Sequence, residues 1–204
     1  IRTHPEGLFL AILYYLGVRR GEALGLKWGD FDFTVDQVHI QRDIDFTGST
    51  AVDGTLKTEA ADRFVPIPED LKVMLLPKRE SADAYVFHTP SGAPLPQASY
   101  KRMWSRLMLE CGCVEWREVK PGTSRPDDIL KQVKPTLTPH YFRHNYVTLL
   151  YESGIDPLVT MKIVGHTDYQ TTANIYTHLK EDTLRRASVN MEKVFAKRSE
   201  QDAQ

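Results

Sequence analysis

The feature that most constrains the fold is a run of apolar residues at helical spacing near the start of the chain. These residues recur at intervals of three and four: Leu8, Phe9, Ile12, Leu13 and Leu16. With Pro5 in the first turn and Gly17 as a stop signal, the run predicts a helix over residues 3–17. A membrane span needs about 20 apolar residues, and the run lacks the small-residue cleavage site of a signal peptide. We therefore expect a helix buried in a globular core.

The composition is typical of one folded domain. Of the 204 residues, 41% are hydrophobic and 26% are charged, which excludes the disordered and fibrous classes. Cys111 and Cys113 are too close together to close a useful loop and too few for a disulfide framework or a four-ligand zinc site. They indicate a reducing, cytosolic setting. Because the sequence begins with Ile1 rather than methionine, we expect it to be part of a longer protein.

The pattern changes along the chain from helical to strand-like and back. After a short second helix over residues 21–26, strand-like runs punctuated by glycines predict a small antiparallel sheet that carries Lys57 near a turn. The predicted strands cover residues 38–40, 44–46 and 63–67, and the helices that follow cover residues 69–76 and 97–110. The segment 112–134 is the least regular and is predicted to lie on the surface. The predicted fold class is mainly α with a small antiparallel β-sheet.

Helix signals dominate the last third of the chain. Thr138-Pro139 offers a cap and a first-turn proline for a helix that ends near residue 153. Asp156-Pro157 repeats this signal for a helix that ends near Gly165. A further helix is predicted to contain Tyr176, and a charged helix covers residues 180–197.

Two pairs of residues indicate anion binding. His140 and Arg143 lie three apart near a predicted helix start, where their side chains share one face and the helix N-terminus attracts anions. The ordinary alternative is a surface histidine beside an arginine in a salt bridge. Arg19 lies at a junction of two predicted helices, where Glu22 is placed to fix its guanidinium by a bidentate hydrogen bond. The alternative there is an ordinary helix-surface pair.

Other candidate residues carry weaker signals by themselves. A lysine in a hairpin turn, such as Lys57, is most often solvated, and a histidine at a helix junction, such as His166, is often a structural cap. His140 and His144 lie four apart on one helix face, but no H-E-x-x-H glutamate accompanies them and Arg143 between them repels a cation. We therefore predict no metal site and interpret His144 as a helix-packing residue.

The combination of these segments is more specific than any one of them. In chain order they read Leu16-Gly17-Val18-Arg19-Arg20-Gly21-Glu22, Leu56-Lys57-Thr58, Thr138-Pro139-His140-Tyr141-Phe142-Arg143-His144, Gly165-His166 and Ile175-Tyr176-Thr177-His178. The chain thereby closely resembles the tyrosine recombinase or phage integrase family, whose motifs occur in this order and cover nearly the whole chain. The residues around Tyr176 resemble the integrase branch of phages and conjugative transposons.

The resemblance implies a role for each matching residue. Tyr176 corresponds to the nucleophile, Arg19 to the first-motif arginine, and His140 with Arg143 to the H-x-x-R pair. Lys57 corresponds to the strand-turn lysine and His166 to the penultimate histidine. The R-x-x-E register to Glu22 selects Arg19 over Arg20, and the distance from His166 selects Tyr176 over Tyr169.

These side chains suit the cleavage and rejoining of a DNA phosphodiester. The arginines stabilise charge on the non-bridging oxygens, and His140 assists the ionisation of the tyrosine. Lys57 donates a proton to the departing 5′-oxygen, and His166 hydrogen-bonds a non-bridging oxygen. The covalent 3′-phosphotyrosyl intermediate keeps the energy of the broken bond, so the implied site-specific recombinase needs no ATP, metal or other cofactor.

The resemblance also implies organisation and partners. Residues 1–179 form the catalytic domain, and residues 180–204 form a helix and tail that pack on a neighbouring protomer or on their own domain. In the full-length protein an N-terminal DNA-binding domain is expected. The implied partners are double-stranded DNA, further copies in a homotetramer on paired DNA sites, and a directionality factor, with no membrane. The expected location is on DNA in the bacterial cytoplasm.

Three other functions and one contrary observation bear on this interpretation. A metal-dependent hydrolase is not supported, because the sequence lacks the clustered carboxylates that bind such ions. Type IB topoisomerases resemble the same site but relax DNA, and a DNA-binding module that had lost catalysis would keep the fold. The residues around Tyr176 favour recombination over relaxation, and the filled catalytic positions argue against a non-catalytic module. The net charge of −1 argues mildly against nucleic-acid binding. We therefore expect the basic groups to be concentrated on one face.

Overall fold

The computed structural model describes residues 6–54, 58–117, 129–130 and 132–165. The helices are α1 (Gly7–Leu16), α2 (Arg20–Gly25), α3 (Glu69–Leu75), α4 (Gln97–Glu110), α5 (Pro139–Glu152) and α6 (Pro157–Val164). The strands are β1 (Phe31–Asp32), β2 (Gln37–Ile40), β3 (Asp43–Thr47), β4 (Thr50–Gly54), β5 (Arg63–Pro66), β6 (Val114–Trp116) and β7 (Val133–Pro135). This helix-rich architecture confirms the predicted fold class.

Helix α1 lies in the core, as its apolar pattern predicts. Phe9, Ile12, Leu13 and Leu16 are completely buried, and α1 packs against α2, α3 and α5. Gly17 ends the helix in the left-handed conformation with φ of 60°, and its N–H donates to the carbonyl of Leu13. No helix in the described ranges is long and apolar enough to cross a membrane.

The strands form separate small sheets instead of the single sheet that we predicted. Antiparallel β1, β2 and β5 make one sheet, while the hairpins β3–β4 and β6–β7 each make their own. The break between β2 and β3 falls at Gln41 and Arg42, whose side chains both turn back to the buried Asp30. Strands β6 and β7 lie near the two ends of residues 112–134, the segment predicted to be irregular.

An aromatic cluster connects α4 to the start of α5. The ring of Phe9 meets those of Phe87, Tyr100 and Trp104 edge-on, with centroid distances of 5.1, 5.9 and 6.3 Å. The indole N–H of Trp104 donates to the carbonyl of Leu137 at 3.2 Å. This contact fixes the chain immediately before α5, the helix that carries the predicted H-x-x-R pair.

The starts of α5 and α6 follow their proline signals but differ in capping. The Asp156 side chain accepts hydrogen bonds from the N–H groups of Leu158 and Val159 and so caps α6, as predicted. Thr138 is the N-cap residue of α5 and Pro139 is its first residue, as predicted, but the Thr138 side chain forms no capping hydrogen bond. Lys57, His166, Tyr176 and the predicted helix over residues 180–197 lie outside the described residues, so their placement and roles stay predictions.

Candidate active site

Arg19 precedes α2 and presents a partly exposed guanidinium. The left-handed turn at Gly17 and the buried Val18 lead the chain into α2 with Arg19 as its N-cap residue. Nη1 of Arg19 donates to Oε1 of Glu22 at 2.7 Å, and Nη2 donates to the carbonyl of Gly165 at 3.1 Å. The side chain remains 44% exposed. Its guanidinium is therefore held from behind and still accessible to a ligand.

Glu22 is the buried carboxylate behind this arginine, with only 1% of its side chain exposed. Besides Arg19, it receives two hydrogen bonds from Arg63, Nη1 to Oε1 at 3.1 Å and Nη2 to Oε2 at 2.9 Å. The prediction of a bidentate hydrogen bond between the Arg19 guanidinium and Glu22 is therefore wrong. The bidentate pair, or fork, is formed by Arg63. Burial alone raises the pKa of Glu22, but Arg63 and Arg19 outweigh it and lower the pKa to about 2.

Arg63 is a buried arginine beside these residues that sequence reasoning did not include. It begins β5, and its Nε donates to the carbonyl of Ile163 at 2.7 Å while Nη1 donates to that of Ala61 at 2.9 Å. A signal was present, because strand alternation places Arg63, Val65 and Ile67 on one face. Val65 and Ile67 are buried, so the same alternation buries the arginine.

Arg143 projects from α5 and is 2% exposed. Nη1 donates to the carbonyl of Gly17 at 3.0 Å, and Nη2 donates to the carbonyl of Val164. These described partners are carbonyls, so its charge has no bonded carboxylate in the described part of the chain. Burial first, and then the charge of Arg19, lower the pKa of Arg143 to about 9. The guanidinium therefore stays charged at neutral pH.

The end of α6 is the point where the three arginines meet. They donate to three consecutive carbonyls: Arg63 to Ile163, Arg143 to Val164 and Arg19 to Gly165. The last carbonyls of a helix lack helical partners and carry partial negative charge, so they attract cations. The next residue along the chain is His166, one of the predicted site residues.

His140 lies in the first turn of α5 beside Arg143. Burial, then the neighbouring His144 and the charges of Arg143 and Arg19, lower the pKa of His140 below its ordinary value. The imidazole is therefore mainly neutral at pH 7. His144 meets the His140 ring edge-on at 4.7 Å and is exposed to solvent. The prediction that His144 is a helix-packing residue is wrong, because an exposed side chain does not pack in the core.

These groups line a cleft of about 440 Å³. Its basic and aromatic wall contains Arg19, Arg20, Tyr100, His140 and Arg143, and Asp43 and Asp45 of β3 also line it. Arg20 lies 5.1 Å from the ring centre of Phe46 and 5.6 Å from that of Tyr100, so it faces the cleft without contacting Glu22. Arg19, His140 and Arg143 thus come together as predicted, and Glu22 lies behind them.

The chemistry of the cleft is that of an anion site. Three guanidinium groups and a neutral imidazole face one space, against the two carboxylates of Asp43 and Asp45. Buried contacts fix the donors of Arg19 and Arg143. Within the described ranges, no cluster of three or more His, Cys, Asp or Glu side chains is arranged to hold a metal ion.

Comparison with known proteins identifies similar chains. The family model described as the phage integrase family matches residues 3–183. A tyrosine recombinase XerC-like protein of Caldanaerobacter subterraneus subsp. tengcongensis is 28% identical over 199 residues, which cover 85% of this chain and 45% of that protein. The ICEBs1 integrase of Bacillus subtilis is 26% identical over 179 residues, which cover 84% of this chain and 44% of the integrase.

A solved structure has the same fold. The Tn1549 transposon integrase in complex with transposon right end DNA matches with a TM-score of 0.65 at 23% identity, over 92% of this chain and 57% of that one. The chain spans about half the length of the curated relatives it matches.

Proposed function

Because this chain belongs to the phage integrase family, we propose that it is the catalytic domain of a site-specific DNA recombinase that cleaves and rejoins DNA through Tyr176. Similarity to proteins named as tyrosine recombinases and integrases supports this activity. The family match at residues 3–183 also includes the positions of Lys57, His166 and Tyr176, which lie outside the described residues.

The observation that carries the proposal is the convergence of Arg19, Arg143 and His140 on one cleft. A DNA phosphodiester has two non-bridging oxygens and carries one negative charge. Two guanidinium groups supply fixed donors for these oxygens and stabilise the charge that develops during attack at phosphorus. Because three arginines outnumber Asp43 and Asp45 in the lining, the cleft keeps an excess of positive charge. A neutral or cationic ligand makes no use of this excess.

In the proposed step, the phenol oxygen of Tyr176 attacks the phosphorus and forms an O–P bond. The bond between phosphorus and the 5′-oxygen breaks, which leaves a 3′-phosphotyrosyl intermediate. The phenol proton passes to His140, which is mainly neutral at pH 7. Lys57 protonates the departing oxygen, and His166 donates a hydrogen bond to a non-bridging oxygen. Attack by a second 5′-hydroxyl reverses the step and restores the phosphodiester without ATP.

The proposed partners extend this activity to a complete reaction. The Tn1549 integrase was solved in complex with transposon right end DNA, and XerH site-specific recombinase was solved bound to a palindromic difH substrate. These complexes support double-stranded DNA as the substrate here. We propose that strand exchange requires a homotetramer on paired DNA sites and that a directionality factor selects integration or excision. The working location is on DNA in the bacterial cytoplasm. Residues 1–179 are proposed as the catalytic domain and residues 180–204 as its terminal helix and tail.

The test traps the covalent intermediate. The chain is incubated with a pool of nicked duplexes of random sequence, in which cleavage beside the nick releases a short fragment that diffuses away before rejoining. A denaturing gel separates DNA-linked protein, and the trapped DNA is sequenced. We expect a linked band with the wild type and none with Tyr176→Phe. Tyr169→Phe is the matched control and is expected to keep the band.

Four outcomes contradict the proposal in different ways. A linked band that survives in Tyr176→Phe assigns the nucleophile to another residue. Cleavage that requires a divalent metal indicates a hydrolase, and DNA binding with no linked band indicates a non-catalytic module. Relaxation of supercoiled DNA by a chain that exchanges no strands between two trapped sites indicates the topoisomerase-like alternative.

A further inference from the structure

Arg63 connects parts of the site that are distant in sequence. It lies 41 residues from Glu22 and 100 residues from Ile163, and it donates hydrogen bonds to both. We infer that Arg63 is a positioning residue of the active site, which orients Arg19 through Glu22 and fixes the end of α6. The inference rests on the proposed function, and it adds a residue that the family motifs in this sequence do not include.

Glu22 is bonded to Arg19 and Arg63 at the same time. Its Oε1 accepts from Nη1 of both Arg19 and Arg63, and its Oε2 accepts from the backbone N–H of Arg19 and from Nη2 of Arg63. Each carboxylate oxygen is therefore shared between the two arginines. Because the fork from Arg63 fixes the carboxylate plane, it also fixes the direction in which Arg19 is held.

Arg63 also contacts the end of α6. Gly165 packs against Arg63 so closely that a Cβ there would lie 3.0 Å from Nη1 and 3.1 Å from Cδ of the arginine. Gly165 also has φ of +68° and provides the carbonyl that Arg19 binds. Arg63 therefore supports the end of α6 directly at the residue that precedes His166 in the sequence.

A second ion pair in the molecule allows a positioning role of Arg63 to be distinguished from a purely structural one. Arg42 and Asp30 form another ion pair with a buried carboxylate, and Arg42 also donates to the carbonyl of Gly25 at 3.1 Å. None of these contacts involves Glu22, Arg19 or the end of α6. If Arg63 were only structural, Arg63→Lys would affect catalysis no more than Arg42→Lys does.

The experiment compares these two variants on the nicked duplexes recovered from the trapping pool. Lysine keeps the charge but lacks the fork, so both proteins retain a cation at the altered position. The rate of covalent linkage is measured in a single turnover at saturating DNA, well below the melting temperature of each variant. DNA affinity is measured separately. For Arg63→Lys we expect a linkage rate about 100-fold lower with DNA affinity changed by less than about threefold.

The control and the coupled variant complete the test. Arg42→Lys is expected to lower the melting temperature while its linkage rate stays within about threefold of the wild type. In the combined variant Arg63→Lys with Glu22→Gln, the loss is expected to be smaller than the product of the two single losses, because both residues act on Arg19. Equal loss of linkage rate in Arg63→Lys and Arg42→Lys overturns the inference and leaves the proposed function intact. A wild type that forms no linked band overturns both.

Discussion

Two regions of the molecule bury an acidic side chain beside arginine, and they differ in how the charges are balanced. Around Asp30, one guanidinium, that of Arg42, meets one carboxylate. The carboxylate oxygens of Asp30 also accept hydrogen bonds from two neutral donors, the side-chain amide of Gln41 at 2.8 Å and the backbone N–H of Lys27 at 2.7 Å. This region is a closed pair of opposite charges with its hydrogen bonds satisfied.

Around Glu22, three guanidinium groups gather beside one buried carboxylate. Arg63 and Arg19 both bond to Glu22, whereas Arg143 donates to carbonyls of Gly17 and Val164. Carbonyl oxygens satisfy hydrogen bonds but carry no full negative charge. The buried end of this network is therefore more positive than its own acidic group can offset.

The difference shows which region is arranged for stability and which for binding. A buried charge without a full counter-charge costs folding free energy, because its lost hydration is not returned by a partner. A phosphate in the cleft supplies the missing negative charge. The Asp30 region has no such deficit, and an added anion brings nothing to it.

The largest expected effect separates Arg143 from Arg42. Arg143→Ala removes a donor to the phosphate, and we expect the linkage rate to fall about 10³-fold. Because the same change removes an incompletely compensated buried charge, the melting temperature is expected to stay the same or rise. Arg42→Ala is expected to do the opposite, with a lower melting temperature and a linkage rate near that of the wild type. Equal destabilisation by the two changes would contradict the comparison.

The next largest effect is the loss of folding stability at low pH that Glu22 causes. Its folded pKa of about 2 lies below the ordinary value of 4.5, so its stabilising contribution is complete above pH 4.5 and is lost as the pH falls towards 2. The change across this window is expected to be about 3 kcal/mol. Urea denaturation at several pH values measures it. Glu22→Gln is expected to be less stable at neutral pH and to lose this part of the slope; an unchanged slope would assign the acid sensitivity to other groups.

Two glycines allow a smaller effect to be measured against a matched control. Gly17 and Gly154 have φ of +60° and +76°, so alanine strains the backbone at both. A Cβ at Gly17 would lie 2.1 Å from Cδ1 of Tyr146, whereas one at Gly154 meets nothing within 4 Å. We expect Gly17→Ala to cost about 1–3 kcal/mol more than Gly154→Ala. It is also expected to slow linkage more, since the Gly17 carbonyl supports Arg143. Equal melting temperatures for the two variants would refute this.

The smallest effect is stabilisation by a simple anion. Sulfate at about ten times its dissociation constant is expected to stabilise the wild type by about 1.4 kcal/mol relative to chloride of equal ionic strength. Thermal denaturation measures the difference. Arg143→Ala is expected to lose most of it, and Arg42→Ala is expected to keep it. Equal stabilisation of all three proteins by sulfate would reflect general salting-out and would contradict the predicted difference between Arg143 and Arg42.

The parts of this fold that the sequence predicts are those encoded by neighbouring residues. The bounds of α4 match the prediction, and Gly17, Pro139, Pro157 and Gly165 mark helix ends where expected. Local signals suffice here because capping and proline geometry act within one turn.

The parts that were missed depend on contacts between distant segments. The sheets separate where Gln41 and Arg42 bond to Asp30, 11 and 12 residues away, and the fork on Glu22 comes from Arg63. The family motifs directed attention to Arg19 and gave no reason to seek a second arginine on Glu22. Strand alternation alone placed Arg63 on the buried face, and a buried arginine requires a partner.

The row of three acceptors at the end of α6 determines which substitutions this site tolerates. Its carbonyls belong to the main chain, so exchanging the side chains of Ile163 or Val164 deletes no acceptor. The arrangement is sensitive to the path of the backbone instead, above all at Gly165, where any side chain collides with the Ala60 carbonyl at 2.8 Å. Transferring this site to another protein therefore requires the whole end of the helix. Copying the arginines alone would omit the main-chain carbonyls that accept their hydrogen bonds.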